Sequence, residues 1–260
     1  MSNPSRTDFQ VGAEPLGEHV RDQLRAIIAR YPKPRSALLP MLHLAQAEQG
    51  YVTPEGIEVC AELLGLSTAE VSAVATFYTM YKRRPVGDYH VGVCTNTLCA
   101  VMGGDAIFAA LGEHLDIGND ETTRDGKVTL EHIECNAACD YAPVVMVNWE
   151  FFDNQTPRSA RNLVDGLRSG AEGISPTRGA PRLCTWKQAS RILAGFPDGQ
   201  ATEGNTAGEP SLAGLKIAKE QGWTPGDGAA GAGSSGPSGS GRTAGRAAPA
   251  RPTSGNGTTT

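Results

Sequence analysis

Four cysteines stand in two short motifs, and their spacing is the strongest chemical signal in the sequence. Cys94 and Cys99 bound the segment CTNTLC, and Cys135 and Cys139 bound CNAAC. A closely spaced pair of thiolates can bind one metal ion, and two such pairs brought together by the fold supply four sulfur ligands. Sulfur-only coordination is typical of zinc and of iron–sulfur clusters. The motifs therefore predict a metal centre with these four cysteines as ligands.

The spacing within the pairs favours a [2Fe–2S] cluster over zinc. The Cys-x4-Cys spacing of Cys94 and Cys99 occurs in plant-type [2Fe–2S] proteins, whereas structural zinc sites prefer Cys-x2-Cys at both ends. A [2Fe–2S] rhomb has two irons, and each can take one pair. Zinc stays open as an alternative, as do disulfides or unligated thiols. Cys60 and Cys184 stand alone in the sequence, so we exclude them as ligands.

Composition limits the partners and the compartment. The chain has 260 residues and a formal net charge of −5. The acidic balance and the lack of a Lys/Arg-rich run argue against nucleic acid as a partner. No apolar stretch approaches the ~18 residues that a membrane span needs, and the N-terminal MSNPSRTDFQ lacks a signal pattern. We expect a soluble cytoplasmic protein without direct membrane insertion, in which thiols stay reduced and available to a metal.

The first third of the chain carries helix signals. Residues 1–15 are polar and interrupted by proline and glycine, which indicates a flexible arm. Apolar residues then recur at helical spacing, proline follows Thr53 at a helix start, and Ser67 with Glu70 forms a capping-box pattern. Residues 16–82 are therefore predicted to form a helical bundle.

Strand and helix signals alternate over 86–170, which predicts an α/β domain. The expected order is a strand at 89–93, a helix at 100–115, strands at 127–134 and 143–149, and a last helix that starts at Thr156. Each cysteine pair then follows a strand, so both pairs can meet at one edge of a sheet. Gly103-Gly104 lacks the rest of any nucleotide-binding motif and is interpreted as a close-packing site.

The C-terminal part is predicted to contain little independent structure. Residues 171–224 read as an extended segment with short helices, one at 186–195 and one in SLAGLKIAKEQGW. Trp186 and Trp223 stand in polar surroundings, so this segment is a possible partner contact. Residues 225–260 are rich in Gly, Ser, Ala and Pro and are expected to be disordered.

These motifs resemble a known family, the 24-kDa [2Fe–2S] subunits of respiratory complex I, which in bacteria carry the letter E. The likeness runs through ATFYTMY, P-x-G-x-Y at 85–89, the first cysteine pair, ETTRDGKVTLEHIEC and CNAACDYAPVVMVN. It implies a helical domain followed by a thioredoxin-like ferredoxin domain, with one [2Fe–2S] cluster on Cys94, Cys99, Cys135 and Cys139. Many relatives carry a glycine inside the second pair, where this chain has Asn136, Ala137 and Ala138.

The resemblance also implies a function. The chain would be an electron-transfer subunit of NADH:quinone oxidoreductase, with FMN and NADH on a larger partner subunit of the peripheral arm, at the cytoplasmic face of the inner membrane. The absence of a dinucleotide motif, a Ser/His/Asp set or a carboxylate pair agrees with no catalytic site of its own. Two alternatives stay open: the corresponding subunit of an NAD-linked hydrogenase or formate dehydrogenase, and a zinc-stabilised interaction module.

Overall fold

The computed structural model describes residues 15–199 and 208–222 of the chain. The chain divides into two units, residues 1–212 and 213–260. Nearly all of the predicted arm, the predicted disordered tail and Trp223 lie outside the described residues. Within the described ranges, no helix is long and apolar enough to cross a membrane.

Four α-helices lie between Glu18 and Phe77, within the region predicted to be helical. They are α1 (Glu18–Ile28), α2 (Leu38–Gln49), α3 (Pro54–Leu64) and α4 (Thr68–Phe77). The Thr53 side chain accepts a hydrogen bond from the Gly56 N–H, and Ser67 with Glu70 forms a complete capping box. Such caps satisfy backbone groups that the first helical turn leaves unpaired. The helices pack around their own buried core, which includes Leu24, Ile27, Met41, Leu42, Cys60 and Val71.

The strands form a mixed sheet in the order β2–β3–β1–β4–β5. Their bounds are β1 (Tyr89–Cys94), β2 (Glu121–Thr122), β3 (Val128–Ile133), β4 (Val145–Val147) and β5 (Glu150–Phe152). The central strands β1 and β3 are parallel, and the other pairings are antiparallel. The strand predicted at 143–149 is instead the shorter β4, because Asn148 and Trp149 adopt left-handed angles and turn the chain into β5.

Helices α6 (Gly104–Leu115) and α7 (Pro157–Arg168) cover one face of the sheet. Val91 and Val93 of β1 pack there with Leu111 of α6 and Val164 of α7. The prediction of one continuous helix over 100–115 is wrong for its first residues. A separate helix, α5 (Thr97–Val101), comes first, and the positive φ of Gly103 lies between the two helices.

The other face of the sheet carries the polar and sulfur-bearing side chains. Side chains alternate along a strand, so His90 and Cys94 of β1 share one face, and Glu131 and Ile133 of β3 share the same face. Cys94, Ile133, Val144 and Met146 belong to a buried cluster separate from the helix-covered core.

Helix α8 (Trp186–Leu193) packs against α2, so the Trp186 ring is not available as the partner contact considered for residues 171–224. The Trp186 ring is buried within its own chain, and its Nε1–H donates to the Gly50 carbonyl at 2.8 Å. An isolated tryptophan in a polar segment is thus an intramolecular anchor here. The helix predicted in SLAGLKIAKEQGW is present as α9 (Glu209–Glu220).

Candidate metal centre

The first cysteine pair is built into the sheet and the helix that follows it. Cys94 is the last residue of β1 and Cys99 lies in α5, and each is only 3% exposed. The Cys94 N–H donates to the Val144 carbonyl at 3.1 Å. Between the cysteines, the Asn96 side-chain amide donates to the Ile133 carbonyl at 3.2 Å, which ties this loop to the end of β3.

Gly104 permits a close approach behind the first pair. A Cβ atom at this position would lie 2.4 Å from the Cys94 carbonyl oxygen and 2.9 Å from that of Cys99. Those atoms belong to the backbone and cannot move aside as a side chain could. The interpretation of Gly103-Gly104 as a close-packing site is therefore confirmed at Gly104.

The second pair lies on a loop at the surface. Cys135 comes two residues after β3, Cys139 begins a 3-10 turn that ends at Tyr141, and both cysteines are exposed. Ala137, between them, has the left-handed φ of 53°. The Ala137 N–H donates to the Cys135 sulfur, with a nitrogen-to-sulfur distance of 3.4 Å.

The parallel register of β1 and β3 places the two pairs at the same edge of the sheet. Among the residues that the structure describes, no three His, Cys, Asp or Glu side chains are grouped to hold one metal ion, so the cysteines stand as two pairs. Cys94 lies opposite Ile133, so the chain reaches Cys135 just beyond the same sheet edge. Within each pair the thiols are close enough to affect each other's ionisation: Cys94 raises the pKa of Cys99, and Cys135 raises that of Cys139. Electrostatic repulsion also acts across the pairs, between Cys139 and both cysteines of the first pair.

The pKa values of two thiols are raised by these surroundings. Burial, and then the neighbouring Cys94, raises the pKa of Cys99 to about 11, although a hydrogen bond from the Val144 backbone acts in the opposite direction. Partial desolvation and the neighbouring Cys135 raise the pKa of Cys139. A metal ligand must be a thiolate, so binding a metal at Cys99 releases a proton at neutral pH.

The residues around the thiols fit a [2Fe–2S] cluster. Four sulfur donors stand as two neighbouring pairs, which suits two irons that each take one pair. The Val144 and Ala137 backbone N–H groups donate to Cys99 and Cys135, and such bonds to sulfur tune cluster potentials. The buried amide nitrogen of Asn136 has no hydrogen-bond partner within residues 15–199 and 208–222, so a donor is available for a sulfide.

The remaining cysteines lie elsewhere. Cys60 is buried in the core of the helical region. Cys184 is half-buried in a cleft beside α8 that Arg182, Gln188 and Arg191 also line. Their exclusion as ligands stays a prediction.

A buried ionic network close to the first cysteine pair was not predicted from the sequence. Lys82, which follows the helical region, contacts the Glu131 carboxylate on β3, and the His90 Nε2 on β1 contacts the same oxygen. Trp149 and Trp186 flank the His90 ring at centroid distances of 5.1 and 5.4 Å. The sequence does show a histidine and a glutamate in two segments predicted to be strands. Lys82, however, lies outside the predicted 86–170 domain, so the sequence does not indicate that it joins them.

Comparison with known proteins identifies the family. A family model described as thioredoxin-like [2Fe–2S] ferredoxin matches residues 24–168. The E subunit of the NADH-quinone oxidoreductase of Mycobacterium tuberculosis is 68% identical over 197 residues, which cover 75% of this chain and 77% of the relative. The protein of the same name from Rickettsia bellii is 42% identical over 146 residues, 55% of this chain and 87% of the relative.

Among solved structures, an NAD+-reducing [NiFe]-hydrogenase in the air-oxidized state matches 54% of this chain and 25% of its own chain. The identity is 18% and the TM-score 0.47, so this likeness carries no functional weight. The family match confirms the predicted thioredoxin-like α/β fold and the [2Fe–2S] cofactor. The chain belongs to the thioredoxin-like [2Fe–2S] ferredoxin family, together with the E subunits of NADH-quinone oxidoreductase.

Proposed function

We propose that the chain is the electron-transferring E subunit of an NADH-quinone oxidoreductase and holds its [2Fe–2S] cluster on Cys94, Cys99, Cys135 and Cys139. One observation carries the proposal. The parallel strands β1 and β3 end at the same sheet edge with a thiol pair at each end, in a chain 68% identical to proteins of that name. A [2Fe–2S] cluster accepts and releases one electron, and the protein sets its position and potential.

In this proposal, different residues of the chain bind the irons, stabilise the sulfur charge and exclude water. The thiolates bind the irons, pair by pair, and Cys99 gives up its proton on binding. The Val144 and Ala137 N–H groups donate to ligand sulfurs and stabilise their negative charge. Gly104 lets α6 close over the first pair, which excludes water from that side.

The electron donor in this proposal is the flavin of a partner subunit that binds NADH. Two features support a contact at the cluster edge. The second cysteine loop is exposed, and Leu98, Val101 and Met102 around α5 expose apolar surface beside the first pair. Exposed apolar groups next to a site are common in interfaces. The assembled peripheral arm would lie at the cytoplasmic face of the inner membrane.

Metal analysis of the full-length chain, purified without oxygen, tests the cofactor. We expect two irons and two acid-labile sulfides per chain and the brown-red colour of a [2Fe–2S] protein. Stoichiometric zinc in a colourless protein would instead support the zinc-stabilised module.

Serine substitutions test the ligands. Cys94→Ser, Cys99→Ser, Cys135→Ser and Cys139→Ser should each lower the iron content and bleach or shift the visible spectrum. Cys184→Ser is the matched control, because it removes a half-buried thiol of similarly raised pKa from another part of the chain. Bleaching by Cys184→Ser would show that the ligand set is wrong.

Reconstitution tests the partner. The chain alone should not oxidise NADH, whereas NADH should reduce its cluster when the flavin-bearing subunit of the same organism is added. Identifying the enzyme that co-purifies with the tagged chain distinguishes the complex from an NAD-linked hydrogenase or formate dehydrogenase. NADH oxidation by the isolated chain would overturn the carrier role.

A further inference from the structure

Lys82, Glu131 and His90 form a buried ionic network that the cluster ligands do not include. Lys82 is 8% exposed and His90 is fully buried. The Lys82 ammonium and the His90 Nε2 both contact the same carboxylate oxygen of Glu131. The three groups come from the segment after α4, from β3 and from β1, so the network joins the helical region to both strands that lead to cysteines.

The network contains one positive and one negative charge. Burial alone would raise the pKa of Glu131, but the hydrogen bond with His90 and the Lys82 charge outweigh it, and the net effect lowers the pKa. Burial lowers the pKa of His90, which keeps the imidazole neutral. An ionised carboxylate can only accept, so the His90 Nε2 carries the hydrogen and Nδ1 is a bare acceptor, without a partner in the part of the chain that the structure describes.

The network lies on the same sheet face as the cysteines and close to them. Glu131 stands opposite Gly92, two residues from the Cys94–Ile133 pair, which is about 7 Å along the strands. The Ile133 side chain fills the space above Gly92, where a Cβ would lie 2.7 Å from it. The apolar Ile133 side chain thus lies between the charged groups and the thiols. Dissolved salt screens buried charges only weakly.

We propose that the Lys82–Glu131 pair tunes the reduction potential of the cluster, with Lys82 cancelling the field that the buried Glu131 carboxylate would otherwise impose. The inference rests on the proposed function, because it takes the four cysteines as ligands. A buried charge about 10 Å away, at an effective dielectric constant of about 20, changes a one-electron equilibrium by roughly tenfold. Lys82 and Glu131 are therefore positioning residues that act on the cluster through its electrostatic surroundings.

The test is a redox titration of the cluster-loaded full-length chain, followed by visible absorption and electron paramagnetic resonance. Glu131→Gln keeps the shape of the side chain and leaves the Lys82 charge uncancelled. We expect it to raise the reduced-to-oxidised ratio at a fixed potential roughly tenfold, which is about 59 mV for one electron. Adding Lys82→Met to Glu131→Gln removes the uncancelled charge and should return the potential to the wild-type value.

Lys127→Met in the Glu131→Gln background is the matched control. Lys127 pairs with Asp88, but both side chains are nearly half exposed, so this substitution should leave the raised potential unchanged. A merely structural role for the network would give shifts that do not depend on the sign of the charge, or altered resonance line shapes. An unshifted Glu131→Gln, or a double variant that does not return, overturns the inference.

The proposed function and this inference fail in different ways. A wild-type chain without an iron–sulfur cluster overturns both, whereas loaded variants with identical potentials overturn the tuning alone. If the Glu131→Gln variant does not hold its cluster, the reduction potential of the single variant Lys82→Met tests the inference instead, and its expected shift has the opposite sign. Lys82→Met leaves the carboxylate uncancelled, so the potential must fall, and an unchanged or raised potential overturns the inference.

Discussion

The two cysteine loops that we propose as ligands carry the same thiol groups in opposite surroundings. Cys94 and Cys99 are buried where β1 meets α5, and α6 closes over their backbone through Gly104. Cys135 and Cys139 are exposed on a loop that contains a left-handed alanine and a short 3-10 turn. The thiols of the first loop are thus enclosed by the fold, whereas those of the second lie at the surface, although Ala138 beside them is buried.

This difference indicates how the site would assemble. A prepacked first pair can receive an iron without a large rearrangement, whereas the exposed second pair gains order when its thiolates are ligated. Burial on one side and access on the other also suit a cluster that must be shielded from water and still be approached by a donor. Substitutions that act on one loop alone can separate these roles.

The largest expected effect is at the backbone contact behind the first pair. Gly104→Ala places a Cβ 2.4 Å from the Cys94 carbonyl oxygen, so the loop or α6 must shift. We expect a loss of most of the cluster iron and a lower free energy of unfolding by about 1–3 kcal/mol, as for other overpacked sites. Iron analysis and thermal unfolding measure both quantities.

Gly214→Ala in α9 is the control for that substitution. It makes the same chemical change in a helix, but its Cβ meets no atom within 4 Å. Its iron content should equal that of the wild type. Full cluster loading in Gly104→Ala would show that close packing is not what holds the first loop.

The second expected effect is a difference in thiol reactivity between the loops in the cluster-free protein. Alkylation needs an accessible thiolate, so exposed cysteines react before buried ones. Peptide mapping after brief treatment with iodoacetamide should find Cys135 and Cys139 modified at least about tenfold faster than Cys94 and Cys99. Equal rates in all four would contradict the contrast in burial.

A smaller effect is the pH dependence of Cys99 alkylation. A raised pKa favours the protonated thiol, so the reactive thiolate fraction at Cys99 increases by tenfold per pH unit up to about pH 11. An ordinary cysteine has a pKa of about 8.5 and levels off above about pH 9. The same residue in guanidinium-unfolded chain is the control. A plateau near pH 9 in the folded protein would refute the effect of burial.

The features of the candidate site and of the fold that the sequence predicts correctly rest on local signals. Two thiol pairs after strands, a Thr53–Pro54 helix start and the Ser67–Glu70 box all depend on neighbours within a few residues, and the structure has them where the pattern indicates. The helix break before Gly104 was missed, because the composition of 100–115 favours a continuous helix. The break lies at Gly103, whose φ of 112° is outside the helical range, and the close contacts of Gly104 with the Cys94 and Cys99 carbonyls lie at the start of the second helix.

Contacts between segments that are distant in the sequence could not be predicted from it. Nothing near Trp186 indicates that its indole binds the Gly50 carbonyl, 136 residues earlier. Likewise, Lys82 resembles any surface lysine until β3 places Glu131 beside it. Residue type and spacing could therefore indicate candidate ligands, whereas the contact of Trp186 and the ionic network of Lys82 become visible only in the tertiary structure.

The smallest expected effect is in the second loop, at Ala137. Its φ of 53° costs an L-amino acid about 1–2 kcal/mol, and glycine adopts the same conformation freely. The greater freedom of glycine in the unfolded chain offsets part of that gain. We expect Ala137→Gly to keep the full iron content and to raise the free energy of unfolding by up to about 1 kcal/mol.

Ala138→Gly, one residue further on, is the matched control. Ala138 has a φ of −110° and is buried, so glycine there removes a packed methyl group and gains no conformational relief. Its free energy of unfolding should fall, so the two adjacent substitutions have opposite signs. A lower stability for Ala137→Gly than for Ala138→Gly would mean that contacts of the Ala137 side chain, and not its backbone angle, decide how the second loop is held. The loop held by ligation would then resemble the packed first loop more closely than its exposure indicates.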